Sequence, residues 1–515
     1  MAPLSAASAA VGARVAVPSI GLERGAALGA LVAVTAWVAY AGGLYTYDDA
    51  FITYRMAANL ASGHGFVYNP GEWHLGSTAA LYGLILAALG WLFGPDRIPA
   101  LSGVLSCASL FATGLMLPAL GAGASSAAGG GDAARADDIA GWRAGVAAGL
   151  LYAASPLLFV TLGGEMPFLL ALVTGAFLAE RRGRPRLSAV LAALAALTRP
   201  DGVQVIAVVL ATMAIRGRRW PWREAVLAAA VLLPFIALAW HAYGTPVPST
   251  LPAKLAQRDS GLWGTFGRGL VDWLRLFLWD PTRPNLGFAP VTPPTSWLWI
   301  AAGVLAIWRL RPFLPLLAWT ALFTASYALL RVPFYHWYAA PAALGLCLLG
   351  GAGLSRAIEW LVSIVPRLDV GRWPVATAAV IAAALAISLP PLAALPRTSR
   401  LNDNVRLYIE TGRWLATQTL PTSRVGYYEI GYIGFYGGRP MIDALGLIDP
   451  SIAPAVKARD FGRAFREARP DYILEKPGAG LNTFLAEPWF AEEYRLEAVL
   501  HVGGEALRIH RRLRP

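Results

Sequence analysis

The stretch Tyr45–Glu72, YTYDDAFITYRMAANLASGHGFVYNPGE, decides how the whole chain is read. It follows a first apolar span and puts adjacent aspartates, Asp48 and Asp49, where a membrane helix leaves the bilayer. Carboxylates next to hydrocarbon are costly and are usually kept there for a job. Phe51, Ile52, Met56 and Leu60 then recur at helical spacing, which predicts an amphipathic helix lying along the membrane surface. The pattern breaks at Gly63-His64-Gly65 and turns at Asn69-Pro70-Gly71. A carboxylate pair on such a helix points to catalysis at the membrane–water boundary.

Composition agrees that the chain is an integral membrane protein. It has 515 residues, 56% of them hydrophobic and 14% charged, and its mean hydropathy is +0.51. A soluble chain carries about a quarter charged residues. The net charge of +12 does not indicate nucleic acid, because the arginines sit in short clusters between apolar runs, as in cytoplasmic loops. Cys107 and Cys347 both lie inside apolar runs, which argues against a disulfide framework. Residues 1–24 read as a weakly basic cytoplasmic tail, and the span after it reads as an uncleaved anchor.

Topology follows from the arginines. Placing Arg14, Arg24, Arg181/Arg182/Arg184/Arg186, Arg216/Arg218/Arg219/Arg223, Arg309/Arg311 and Arg356/Arg367/Arg372 on the cytoplasmic side fixes the parity of the helices between them. The expected fold is a mainly α, polytopic transmembrane bundle of about 11 spans in residues 25–392. The spans fall near 25–44, 98–120, 144–162, 166–180, 187–198, 203–215, 224–242, 294–308, 313–330, 338–355 and 374–392. Thr78–Phe93 breaks the parity and is shorter than the ~20 residues a span needs. It is read as an interfacial or re-entrant segment of a long first outer loop, 45–97. Gly121–Gly141 reads as a flexible cytoplasmic loop. Residues 393–515 shift to the composition of a globular domain, expected to be a small extracytoplasmic α/β unit. Within it Asn402–Thr417 looks helical, and Arg424–Tyr428, Tyr472–Leu474 and Leu496–Val502 look like strands.

Several polar motifs fall on the outer face under this parity. Asp48 precedes a helix and also reads as an N-cap, although a cap needs only one acid. Its place seven residues before Arg55 would let that arginine hold it ionised, which slightly favours Asp48 over Asp49 as a base. Glu165 in Gly-Gly-Glu-Met-Pro also reads as a first-turn helix acid. Arg199 and Asp201 read either as a structural pair or as part of a site. Lys254 ends a Pro-rich approach that favours a placed cation. His336-Trp337-Tyr338 also reads as an interfacial aromatic belt. Trp263–Trp279 reads as an amphipathic helix on the outer leaflet.

The conjunction of these motifs is more informative than any member. An acceptor hydroxyl is a poor nucleophile and needs a base. A lipid-phosphate leaving group needs positive charge, and its tail must stay in the bilayer. Sugar transfer from a lipid-phosphate donor requires all three features.

The order Asp48-Asp49-Ala50-Phe51-Ile52, Arg55, Gly63-His64-Gly65 and Asn69-Pro70-Gly71-Glu72 resembles the first outer loop of the GT-C superfamily of membrane glycosyltransferases. Gly164-Glu165-Met166-Pro167-Phe168, Thr198-Arg199-Pro200-Asp201-Gly202, Tyr243–Pro248 with Lys254, and Trp337-Tyr338-Ala339-Ala340-Pro341 extend the likeness. So do Gly426–Gly431 and Asp443–Pro450 near the C-terminus. Together they are similar to the bacterial branch containing the mycobacterial terminal β-1,2-arabinofuranosyltransferase.

The resemblance implies an inverting transferase in the plasma membrane that uses a polyprenyl-phosphate sugar, arabinofuranose among the candidates. The acceptor would be a cell-envelope glycan or lipid on the outer face, in cell-wall biogenesis. It implies Asp48 or Asp49 as the base, and Arg199 and Lys254 as phosphate or scaffold cations. Arg55, Glu165 and Tyr338 would join the donor site, with His64 and His336 as further head-group contacts. No cofactor or metal is expected, although some such enzymes use a divalent ion near the first-loop acids. Two other classes compete. A flippase or transporter would place charges near the midplane and show inverted repeats. A non-catalytic assembly protein would bind glycan through the C-terminal domain alone.

Overall fold

The computed structural model describes residues 20–42, 46–122, 132–278, 296–306, 311–364, 372–398 and 402–513. Arg14, Arg309, Arg367, Trp279 and the rest of the long loop to residue 295 lie outside the described residues, as does most of the N-terminal tail.

The apolar runs fold as helices ended by proline, glycine or arginine. Among the described residues, six are long and apolar enough to cross a membrane: Gly21–Gly42, Pro95–Gly121, Pro200–Gly217, Trp222–Tyr243, His336–Ser363 and Pro374–Pro396. Pro185–Thr198, Trp297–Ala306 and Leu314–Leu330 are shorter apolar helices among them. The protein is thus membrane-embedded. Exposed Leu, Val, Ile and Trp side chains on Trp222–Tyr243 and elsewhere face outward as they would toward lipid. Small residues bring the inner helices together. A Cβ on Gly149 would meet the Gly114 carbonyl, and one on Gly351 would meet the backbone of Ala144 and Ala148. Close backbone approach through small residues is how apolar helices associate without a hydrophobic drive between them.

The structure corrects three expectations about helices. The segment expected at 144–162 is a helix over Asp132–Ala153, followed by a separate turn at Pro156–Phe159, because Ser155-Pro156 interrupts the run. Residues 132–141 are therefore helical rather than loop. The helix Asp48–Ala61 is not a surface helix with one wet face: Ala50 through Ala57 are all buried, including Tyr54 and Arg55. The C-terminal domain covers the side that sequence periodicity left polar. Trp263–Trp279 contains the helix Phe266–Leu278, on which Phe266, Leu270 and Trp273 are buried within the protein. Phe266 and Trp273 each pack on Phe334, with ring centroids 5.9 Å apart.

Ala80–Phe93 forms a 14-residue helix. At ~1.5 Å per residue it is about 21 Å long, against ~30 Å of hydrocarbon. Its end is open, with Trp91 74% exposed.

The C-terminal region carries one five-stranded sheet, ordered β2-β1-β3-β5-β4. The strands are β1 (Val425–Tyr427), β2 (Met441–Asp443), β3 (Tyr472–Glu475), β4 (Tyr494–Val502) and β5 (Glu505–Arg512). The first three pair in parallel, with Val425 opposite both Met441 and Tyr472. β5 runs antiparallel to β3 and β4. The helix Asp403–Gln418 starts where Asn402 accepts from the Val405 amide at 2.8 Å. It packs on the short helix Gly431–Gly437, which also contacts the helix Asp48–Ala61. β2 and β5 were not anticipated from sequence. Cys107 and Cys347 are buried and unpaired.

Candidate active site

Where the first loop meets the bundle and the C-terminal domain, a cavity of about 450 Å³ opens. Asp49, Glu165, Arg199, Asp201, Lys254 and Tyr338 all line it.

Asp49 is in the first turn of the helix Asp48–Ala61, where the helix dipole favours a carboxylate. Its Oδ2 lies 3.6 Å from Lys254 Nζ. Lys254 belongs to the helix Thr250–Ser260, and its ammonium stands 3.6 Å from the Tyr335 ring centroid. Burial works against that charge, but Tyr335 and Asp49 beside it outweigh burial and hold the amine protonated. The helix is fixed at both ends. The Ser249 amide donates to the Leu75 carbonyl at 2.9 Å. Arg459 Nε donates to the Ser260 carbonyl at 2.7 Å.

Glu165 arrives on a pinned loop. Gly163 has φ +77°, a left-handed conformation that glycine adopts without cost. Its carbonyl accepts from the Tyr54 hydroxyl and from Ser102 Oγ, and the Gly164 carbonyl accepts from Ser106 Oγ at 3.0 Å. A Cβ on Gly164 would run into the Tyr47 hydroxyl.

Arg199 forms a buried hub. It bonds Glu165 Oε1 at 2.5 Å, Asp201 Oδ2 at 2.9 Å and the Tyr327 hydroxyl at 3.1 Å. Tyr327 in turn donates to Asp201. One guanidinium therefore serves two carboxylates, leaving Lys254 as the cation with a single acidic neighbour in this cavity. The Tyr338 ring centroid lies 5.3 Å from the Arg199 guanidinium carbon.

Other residues singled out from sequence stand elsewhere. Asp48 does not line the cavity. It faces the C-terminal domain, where its Oδ2 accepts the Gly431 amide at 2.9 Å and its Oδ1 accepts the Tyr432 amide at 2.8 Å. Arg55 makes no ion pair with Asp48 among the described residues. It donates to the carbonyls of Tyr68 at 2.9 Å, Gly434 at 2.6 Å and Arg439 at 2.7 Å, so it clamps the first loop to the C-terminal domain. A seven-residue spacing places two residues on one helix face, but three carbonyl acceptors drew this side chain the other way. His64 is exposed past the helix end. His336 packs edge-on against Tyr47 at 5.9 Å, behind the cavity wall.

Sequence reasoning missed Tyr327, Ser77 and Leu447. Leu447 reaches the cavity because buried Asp443 accepts the backbone amides of Leu445, Leu447 and Ile448 and curls that loop. The run Asp443-Ala444-Leu445-Gly446-Leu447 was the available signal. Among the described residues, no group of three or more His, Cys, Asp or Glu side chains is placed to hold a metal ion.

Comparison with known proteins places this geometry. A family model described as a domain of unknown function, DUF8728, matches residues 398–512. The Mycobacterium tuberculosis terminal β-(1→2)-arabinofuranosyltransferase is 30% identical over 257 residues, covering 45% of this chain and 39% of that protein. The chain therefore matches well under half the length of this curated relative. ArnT from Cupriavidus metallidurans bound to undecaprenyl phosphate superposes with a TM-score of 0.54 at 14% identity, covering 95% of this chain and 97% of that one. Its apo form gives 0.56 at 14% identity, covering 94% and 98%. The Archaeoglobus fulgidus oligosaccharyltransferase, crystallised with zinc and sulfate, gives 0.52 at 13% identity, covering 87% and 68%. The fold is that of the GT-C membrane glycosyltransferases.

Proposed function

We propose that this membrane protein of the GT-C fold is an inverting glycosyltransferase that moves a sugar from a polyprenyl-phosphate donor to a cell-envelope glycan or lipid at the outer face of the plasma membrane. Asp49 is the general base and Lys254 the cation for the donor phosphate. One observation carries this reading: a carboxylate and an ammonium 3.6 Å apart line one cavity at the bundle edge. The activity of the mycobacterial relative makes arabinofuranose the first sugar to test.

The chemistry is a single displacement. Asp49 takes the acceptor hydroxyl proton as that oxygen bonds the anomeric carbon from the face opposite the phosphate. The bond from the anomeric carbon to the phosphate oxygen breaks, and its electron pair leaves on the polyprenyl phosphate. Lys254 stabilises that growing charge in a site where burial strengthens the interaction. Before donor arrives, Asp49 neutralises Lys254. Donor phosphate then competes for the ammonium, which frees the carboxylate to accept a proton. Arg199 holds Glu165 and Asp201 aligned as acceptors for sugar hydroxyls. Leu447 brings the C-terminal domain to the rim, where the acceptor is admitted.

The test is a panel of polyprenyl-phosphate sugars presented to the purified protein in lipid nanodiscs with glycan acceptors. Transfer from at least one donor, with inversion at the anomeric carbon, is expected. Loss of no donor, together with solute movement across sealed vesicles, would replace this reading with a transporter.

A further inference from the structure

A second cavity, of about 420 Å³, lies at the other end of the bundle from the candidate active site. Asp137, Arg143, Ser355, Arg356 and Glu359 supply most of its polar lining. Its volume is within the ~300–1,000 Å³ of small-molecule sites. The helices Asp132–Ala153 and Ala340–Ser363 form two of its walls. They touch where a Cβ on Gly351 would meet the Ala144 carbonyl and the Ala148 amide, and the cavity opens beyond that contact.

Its depth follows from one continuous helical segment, His336–Ser363. Tyr338 at the start of that segment lines the first cavity, and Glu359 near its end lines the second. At ~1.5 Å per residue the two are about 31 Å apart, against ~30 Å of hydrocarbon. The second cavity therefore sits at the headgroup layer of the far leaflet. Exposed Trp360 and Leu361 stand on the same helix end, and a tryptophan there is an interfacial anchor.

The charges of this cavity fall into two sets. Arg143 is 1% exposed and serves the bundle. Its Nε donates to Thr377 Oγ1 at 2.9 Å, Thr377 donates to Glu23 Oε2 at 2.7 Å, and its Nη1 lies 3.5 Å from Glu359 Oε1. Ser355 Oγ also donates to Glu359, at 3.4 Å. Arg356 and Asp137 are different. Both are exposed, they stand on facing walls, and neither has an ion-pair partner among the described residues. An unpaired cation and an unpaired anion in one cavity suit a ligand that carries the opposite pair of charges.

We propose that this cavity holds the phosphoethanolamine headgroup of a phospholipid in the far leaflet, its phosphate on Arg356 and its ammonium on Asp137. The guanidinium fork matches phosphate oxygens, and the ammonium has N–H groups to give the carboxylate. The acyl chains run out past Trp360 and Leu361 into the bilayer. The site is independent of the transferase reading.

Native mass spectrometry of the full chain in detergent tests it, with separate titrations of a phosphatidylethanolamine, a phosphatidylglycerol and soluble phosphoethanolamine. The wild type should bind one phosphatidylethanolamine about 10-fold more tightly than phosphatidylglycerol, which offers the phosphate without the ammonium. Asp137→Asn should abolish that preference. Arg356→Gln should weaken both lipids about 10-fold or more, the loss of one charge-assisted hydrogen bond. Both side chains are exposed, so thermal unfolding of the variants should match the wild type. Equal affinity of the wild type for the two lipids, or wild-type lipid affinities in both variants, would overturn the site. Soluble phosphoethanolamine binding as tightly as the lipid would overturn the assignment to a membrane ligand.

Discussion

Replacing Arg199 by methionine distinguishes a scaffold arginine from one that binds donor phosphate. The side chain is 4% exposed and bonds Glu165, Asp201 and Tyr327 at once. Arg199→Met leaves two mostly buried carboxylates without a cation. Hydrogen bonds to charged groups contribute about 1.5–3 kcal/mol each, so a simple sum over these contacts would overshoot. The stranded carboxylates limit the loss by taking up protons. The cost of breaking a buried ion pair, about 3–5 kcal/mol, is the better measure. The assay is reversible unfolding in mixed micelles, comparing Arg199→Met with Arg199→Met/Glu165→Gln/Asp201→Asn. The triple variant, with no stranded charge, should recover most of the lost stability, although neither variant should transfer sugar well. If Arg199→Met unfolds like the wild type and only raises donor KM, the hub account is wrong and Arg199 is a donor ligand.

Lys254→Met should lower kcat by ~10²–10³, the cost of removing one transition-state donor, and steady-state kinetics over donor concentration would show whether KM moves with it. Lys254→Arg should not fully restore the rate, because the longer, planar guanidinium spreads its charge and does not put a compact point charge where the ammonium stood. Gly164→Ala should displace Glu165 by driving its new methyl into the Tyr47 hydroxyl, and pairing it with Tyr47→Phe should recover part of the activity. Arg55→Ala should loosen the C-terminal domain, seen as faster proteolysis between residues 418 and 440, with the bundle itself still intact.

The bundle was legible because bilayer thickness forces long apolar runs, and arginine clusters mark where they end. The site was half legible. Glu165 and Arg199 each cap a helix beside glycine or proline, Lys254 follows a proline-rich approach, and such breaks in an apolar run are visible without contacts. Which aspartate faces the cavity was not visible. Asp48 and Asp49 are adjacent, so their directions depend on what covers each side of the helix. The cover on the Asp48 side comes from Gly431 and Tyr432, far along the chain. Periodicity failed for Asp48–Ala61 for the same reason, since it registers an exposed face only until a distant domain buries it. Arg55 is the clearest instance: its spacing suggested an ion pair, but its three carbonyl acceptors lie in the first loop and the C-terminal domain, beyond the reach of spacing along its own helix.

The central claim is that Asp49 carries the proton transfer, and paired asparagine variants measure it most directly. Asp49→Asn is nearly isosteric and removes the basic oxygen facing the cavity, so transfer should fall by ~10²–10⁴ while membrane insertion and donor binding persist. Asp48→Asn keeps an acceptor for one of the two backbone amides and should lose far less. Near wild-type turnover by Asp49→Asn, or a dead Asp48→Asn beside an active Asp49→Asn, would contradict the assignment.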